Sequence, residues 1–216
     1  VKIEKIGSQT LILADCRDVL EGLPDFDAVV TDPPYGLGKK LAGGGCKARS
    51  DSWGYLVQKA YQWDAKPVCS DLLNAVLTKG KQSIVWGGNY FGLPASRCFL
   101  VWDKGPTMAG RSFAECEMAW TNMDKNARIF QYAPPVFSGN EPPKVHPTQK
   151  PIQVMKWCLG FLDNPKTVLD PFMGSATTLV ACESLGIAGT GIEIDEEYFN
   201  KACIRLDEFT RQGVML

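Results

Sequence analysis

Asp27-Ala28-Val29-Val30-Thr31-Asp32-Pro33-Pro34-Tyr35-Gly36 is the stretch on which the fold turns. A β-branched, apolar run that stops at Asp-Pro-Pro reads as a buried strand whose carboxyl end opens into a loop. Neither proline carries an N–H, both have a fixed φ, and Asp32, which precedes a proline, is held extended. Such a loop is stiff and presents one carboxylate, free carbonyls and one aromatic ring. In an open α/β sheet, ligands bind at this carboxyl end of the strands. Taken alone, the segment is equally a polar turn after a strand, so the rest of the chain has to decide.

The chain of 216 residues is long enough for a substantial core and is expected to form a single domain over 1–216. Its 45% hydrophobic and 22% charged residues suit a globular protein in water. No apolar run approaches the roughly 20 residues that span a bilayer, and no secretory signal opens the sequence, so a cytoplasmic protein without membrane contact is expected. The 8 cysteines are scattered without a Cys-x-x-Cys pair and there is 1 histidine, a pattern of reduced thiols rather than of a metal site. A net charge of -1 argues against a purely electrostatic nucleic-acid binder but leaves room for a local basic face.

Outward from the opening stretch, Gln9 to Ala14 reads as a short strand followed directly by Asp15-Cys16, and Asp18 to Leu23 as a brief helical turn closed by Pro24. Two acids thus close two successive strands. Gly38 to Ser50 is rich in glycine, with four basic residues and no acid; it reads either as a surface loop or as a flap that contacts phosphates, within a mobile region 38–64. Apolar residues at 68, 72, 73, 76 and 77 mark a helix to Lys79, stopped by Gly80, and Ser83 to Trp86 a further buried strand that enters Gly87-Gly88-Asn89-Tyr90. Phe99 to Trp102 and Glu117 to Trp120 read as an antiparallel pair, and residues 124 to 144 as proline-punctuated and irregular. A small target-recognition insertion is expected within 103–144. A helix follows Pro151, with its stripe at 152, 155, 159 and 162. Thr167-Val168-Leu169 is a strand ending at Asp170, Pro171 to Ser175 a turn, Ala176 to Leu185 a helix and Gly189 to Ile194 a strand. Asp195 can cap a last helix with the stripe Phe199, Cys203, Leu206 and Phe209. Strands alternating with helices predict an α/β fold, a doubly wound and mostly parallel sheet with one antiparallel strand pair.

Val168 to Thr178 is the second informative segment: strand, small-residue turn, helix start, the layout of a nucleotide-binding βαβ unit. Glu193 lies 19 positions after Gly174 at the end of the next strand, near the spacing at which an acid grips ribose hydroxyls. Only one fingerprint glycine is present, and Asp15, Asp170 and Glu193 all favour a ligand that is not anionic. S-adenosylmethionine is such a ligand: ribose, adenine, no phosphate and a net positive charge.

Together, Asp32-Pro33-Pro34-Tyr35, His146-Pro147-Thr148-Gln149-Lys150-Pro151, Asp170-Pro171-Phe172-Met173-Gly174-Ser175 and Gly191-Ile192-Glu193-Ile194-Asp195 resemble the DNA amino-methyltransferase family, in the circularly permuted order that puts the catalytic loop before the cofactor loop. The resemblance covers most of residues 9 to 205 and implies a Rossmann-like methyltransferase sheet, S-adenosylmethionine as cofactor, DNA as partner and no metal. It implies that Asp15 and the Cys16 backbone bind adenine and Glu193 the ribose. Phe172, Gly174 and Ser175 would line the methionine part of the cofactor, with Thr148 and Lys150 closing that side, and Asp170 would be a further cofactor-binding residue. Asp32 and the Pro33 carbonyl would accept hydrogen bonds from the target amine, Pro34 would stiffen the loop, and Tyr35 would stack on a flipped base. The sequence departs from the family at Ala176, where many members have glycine, which should narrow the turn slightly.

An aspartate at the head of the loop favours adenine N6, with cytosine N4 as the alternative; an RNA or protein methyltransferase and a silent DNA-binding protein of the same fold are further readings. His146 reads as a loop-packing residue. Basic residues at 104, 111, 125 and 128 either touch DNA or form a solvated face. The short recognition region leaves a small footprint, a partner subunit such as a second copy in a homodimer, or low selectivity.

Overall fold

The computed structural model describes residues 1–38, 64–108, 110, 114–133 and 149–214. Nine strands among them form one sheet: β1 (Lys2–Ile6), β2 (Gln9–Leu13), β3 (Phe26–Thr31), β4 (Gly80–Trp86), β5 (Phe99–Asp103), β6 (Cys116–Thr121), β7 (Arg128–Gln131), β8 (Thr167–Asp170) and β9 (Ala188–Glu193). Their spatial order is β1-β2-β9-β8-β3-β4-β6-β5-β7. The central run from β2 to β4 is wholly parallel, as the helix-alternating half of the sequence predicts. β5 and β6 pair antiparallel, Phe99 opposite Trp120, in agreement with the expected pair. Two further antiparallel joints, β1 with β2 and β4 with β6, complete the sheet.

Period-2 alternation in β3 explains why the strand is central. Ala28 and Val30 point to the face covered by α3 (Ile152–Leu159) and α4 (Thr177–Ser184), where they join Ile84, Trp86, Val154 and Ala181. Val29 points to the other face and packs with Ile12, Cys16 and Val76, the last two from α1 (Cys16–Val19) and α2 (Ser70–Thr78). All three side chains of Ala28, Val29 and Val30 are fully buried, which needs cover on both faces. The last helix, α5 (Glu196–Val214), lays Phe199, Leu206 and Phe209 against Leu11 and Leu179. Asp195 caps it, accepting the N–H of Glu197 at 2.9 Å and of Tyr198 at 3.1 Å.

Three expectations change. Residues 128–131, predicted irregular, form the edge strand β7 parallel to β5; its four residues include an Ile129 that is 72% exposed, so no alternation marks it. Gly80 does not merely stop a helix but begins β4, where a Cβ would meet the Val29 nitrogen at 2.7 Å. Lys2–Ile6, unread in the sequence, pairs at the opposite edge. The basic stretch 38–50 lies outside the described residues beyond Gly38, as do His146 and Thr148. No helix among the described residues is long and apolar enough to cross a membrane.

Candidate functional site

The chain reverses its winding between β3 and β8, which lie side by side, and the loops leaving their carboxyl ends diverge there. A cavity of about 700 Å³ opens at this switch point. Four strand ends supply its wall: Asp15 and Cys16 after β2, Asp32 and Pro34 after β3, Asp170 to Ser175 after β8, and Glu193 to Asp195 after β9. Residues predicted from segments as far apart as 15 and 193 are therefore neighbours in one cleft.

The Gly-containing turn after β8 is held from below. Asp170, 2% exposed, accepts hydrogen bonds from the Thr31 hydroxyl at 2.9 Å, the Thr178 hydroxyl at 2.5 Å and the Phe172 N–H at 3.2 Å. Burial nevertheless pushes its carboxyl up to about 6. Both its oxygens are engaged by the protein, so its work is to fix the turn against β3. Gly174 takes a left-handed conformation (φ 50°) and donates its N–H to Glu193 at 3.0 Å, while the other Glu193 oxygen accepts the Asp195 N–H at 2.8 Å. Burial raises the Glu193 carboxyl to about 7, against those hydrogen bonds. Ala176, the departure from glycine, is also left-handed (φ 57°) and fully buried. The departure therefore costs backbone strain, roughly 1–2 kcal/mol, rather than width of the turn. Arg205 steadies the turn by donating to the Ser175 carbonyl and the Thr177 hydroxyl, each at 2.8 Å.

At the end of β2, Asp15 caps α1 by accepting the Arg17 N–H at 2.9 Å and forms an ion pair with the Arg17 guanidinium. That hydrogen-bonded guanidinium lowers its pKa. Cys16, buried beside Asp15 on the wall of the cleft, packs into the core, and burial raises its thiol to about 11.

The loop after β3 is pinned by a residue that the sequence reading passed over. Asp64, fully buried, accepts four consecutive backbone N–H groups: Tyr35 at 2.6 Å, Gly36 at 2.9 Å, Leu37 at 2.8 Å and Gly38 at 3.0 Å. The Pro34 carbonyl accepts the Val68 N–H at 3.1 Å, and Pro33 is buried. The Tyr35 ring stacks on Tyr90 at 5.0 Å and 26°, and tilts against Phe91 at 6.2 Å. It rests on Gly87 (φ 65°), where a Cβ would come within 2.1 Å of the ring. Its hydroxyl donates to one oxygen of Asp32. The other Asp32 oxygen accepts Lys150 Nζ at 2.5 Å.

Lys150 was expected on the methionine side of a cofactor. It borders the cleft, but its ammonium is spent on carboxylates: Asp32, and Glu117 of β6 at 3.2 Å. Lys104 closes the cluster at 2.8 Å from Glu117. Burial works against ionisation of Glu117, yet the Lys150 and Lys104 ammoniums outweigh it and hold the carboxyl at about 2. Burial likewise raises Asp32 against the pull of Lys150 and Tyr35, and the two carboxylates keep Lys150 protonated against its own burial. Glu117 and Lys104 sit in an ordinary-looking strand and loop, with no local pattern to single them out; Gly87-Gly88 after a strand was the one available signal for the Tyr35 seat. Among the described residues no cluster of three or more His, Cys, Asp or Glu side chains could hold a metal ion.

Comparison with known proteins fits this geometry. A family model described as DNA methylase matches residues 85–203, more than half of the chain. The type II methyltransferase M.HpaI of Haemophilus parainfluenzae is 42% identical over 69 residues, 32% of this chain and 22% of that protein's length. M.ScaI of Streptomyces caespitosus, another type II methyltransferase, is 27% identical over 244 aligned positions, 89% of this chain and 79% of that one. The M1.HpyAVI–SAM complex has a similar fold, with a TM-score of 0.57 at 22% identity, covering 92% of this chain and 99% of that one. With more than half its length matched by the family model, the chain belongs to the DNA methylase family.

Proposed function

We propose that the protein transfers a methyl group from S-adenosylmethionine to the exocyclic N6 of an adenine flipped out of DNA. The observation that carries this is the position of Asp32: an anchored carboxylate on the rim of a carboxylate-lined cleft, beside a stacked tyrosine. The cleft suits the cofactor. Its volume of about 700 Å³ holds a nucleoside-sized molecule; Arg17 and Lys150 on its wall are paired with Asp15 and Asp32, and Glu193 and Asp195 leave the acids in excess, which suits a cation. Each Glu193 oxygen accepts one backbone N–H and keeps a second lone pair, with which it can take a ribose hydroxyl. The backbone of the turn at Gly174, which carries no side chain, allows close approach. When bound, the cofactor supplies an electrophilic methyl group on a sulfonium.

The residues of the chain then act on the nucleophile. An exocyclic amine is weakly nucleophilic because its lone pair is delocalised into the ring. Asp32 and the Pro33 carbonyl accept hydrogen bonds from its two N–H groups and favour the pyramidal nitrogen that forms as the N–C bond is made and the methyl–sulfur bond breaks; sulfur leaves as a neutral thioether and the surplus proton of the nitrogen passes to water. The Asp64 clamp on residues 35–38 and the two prolines stiffen the loop backbone that carries those acceptors. Tyr35 stacks on the extruded base and offsets on the order of 1–3 kcal/mol of the cost of flipping.

The test is incubation with DNA and labelled cofactor, followed by hydrolysis to nucleosides. Label in N6-methyladenine is the expected result. Label in cytosine would replace adenine by cytosine N4 in this reading, and unlabelled DNA would overturn it.

A further inference from the structure

We infer that Glu117 is a positioning residue that takes over Lys150 when Asp32 engages the target amine. The inference rests on the reading of Asp32 as the amine acceptor. Lys150 Nζ lies 2.5 Å from Asp32 and 3.2 Å from Glu117, so one ammonium bridges a carboxylate of the loop after β3 and one of β6. It is enclosed as well: the Lys150 side chain is 5% exposed, with the Trp86 ring 4.8 Å and the Tyr35 hydroxyl 3.4 Å from Nζ.

This arrangement poses a competition. Asp32 has two oxygens; one accepts the Tyr35 hydroxyl and the other the Lys150 ammonium. A neutral aromatic amine that needs Asp32 must share or displace a charge-assisted bond, which is about twice as strong as a neutral one. An ammonium stripped of its partner in so enclosed a place would be an unpaired buried charge, which is strongly destabilising. Glu117 removes that difficulty. Lys104 holds its first oxygen at 2.8 Å and so leaves the second aimed at Lys150. A shift of Lys150 toward Glu117 keeps the ammonium paired and frees the Asp32 oxygen. Two carboxylates and two ammoniums make the cluster neutral before and after, so the handover moves no net charge out of the site.

Two measurements test this. In protein carrying 15N-labelled lysine, the ζ-ammonium signal of Lys150, assigned by its loss in Lys150→Met, is expected to persist in Asp32→Asn. It is expected to vanish in Asp32→Asn/Glu117→Gln, where both carboxylates are gone. Disappearance in Asp32→Asn with Glu117 intact would overturn the handover. In single-turnover methyl transfer, Glu117→Gln is expected to slow the reaction roughly tenfold with cofactor affinity unchanged, and Glu117→Asp to regain most of the rate. An unchanged rate in Glu117→Gln would also overturn it. A wild-type protein that methylates no DNA would instead sink the proposed function, while the lysine signals would still decide whether Glu117 can hold Lys150.

Discussion

The carboxylate of Asp64 accepts the backbone N–H of Tyr35 at 2.6 Å, and those of the three residues after Tyr35, from a fully buried position. Four successive amides aimed at one anion make a stiff cradle out of a loop that prolines alone would only restrict. Replacing Asp64 by Ala leaves the amides of Tyr35, Gly36 and Leu37 without that acceptor, while Gly38 keeps the Asp64 carbonyl at 3.0 Å. The expected result is a fall in transfer rate of about 100-fold, the scale of a 1 Å misplacement of reacting groups. Cofactor affinity, measured by calorimetry, should stay within about twofold, because that cleft is walled by other strands.

In the proposed reaction Asp32 serves the target amine and Glu193 the cofactor. Asp32→Ala is expected to lower transfer by about 100-fold or more while keeping the cofactor bound. Glu193→Ala removes an acceptor for two hydroxyls and should weaken cofactor binding by roughly 10- to 100-fold. Equal losses of binding in the two variants would show that the roles are misassigned.

The raised carboxyls at Glu193, about 7, and Asp170, about 6, give stability and ligand binding opposite pH trends. Both hold a proton more tightly folded than unfolded. Their contribution to stability is therefore full below the ordinary carboxylate range and is lost as pH rises through 6 and then 7. Glu117, held at about 2, does not titrate in that window. The melting temperature of the ligand-free protein is expected to fall between about pH 5 and about pH 8, and Glu193→Gln should flatten the upper part of the fall. Cofactor binding runs the other way. If it requires the Glu193 anion, affinity is about tenfold weaker near pH 6 than near pH 8, and Glu193→Gln abolishes the dependence.

Gly87 carries the Tyr35 ring. A methyl group there would collide with the ring at 2.1 Å and would sit on a backbone of φ 65°. Gly87→Ala is expected to destabilise the protein by about 1–3 kcal/mol in denaturant titration and to impair transfer to DNA more than cofactor binding. A variant with wild-type transfer would show that the ring need not be where it is.

The sequence made the central parallel strands legible because their chemistry is local. Val29 and Val30 are β-branched and apolar, and β2, β8 and β9 each end at or beside an acid, Asp15, Asp170 and Glu193. The same locality made Asp15, Asp32, Gly174 and Glu193 readable as one cleft. Asp64 and Glu117 were not readable, since an acid gains its role only from what folding brings beside it: four amides 26 to 29 positions away for Asp64, and for Glu117 a lysine from a distant loop. β7 escaped for the opposite reason. Only one of its neighbours is a strand, so its sequence never had to alternate.

The adjacency of β3 and β8, fastened by the Thr31–Asp170 hydrogen bond across 139 positions, also sets when the site comes into being. As the chain leaves the ribosome, β3 can pair at once with β4, but its other edge has no partner until β8 has been made. β2 waits in the same way for β9. Such distant pairings close the largest loops and form last. In the interval β3 presents a bare apolar edge, the kind of surface that recruits chaperones or aggregates. A nascent chain that stops short of Glu193 has every residue of the loop after β3 and still lacks one wall of the cleft.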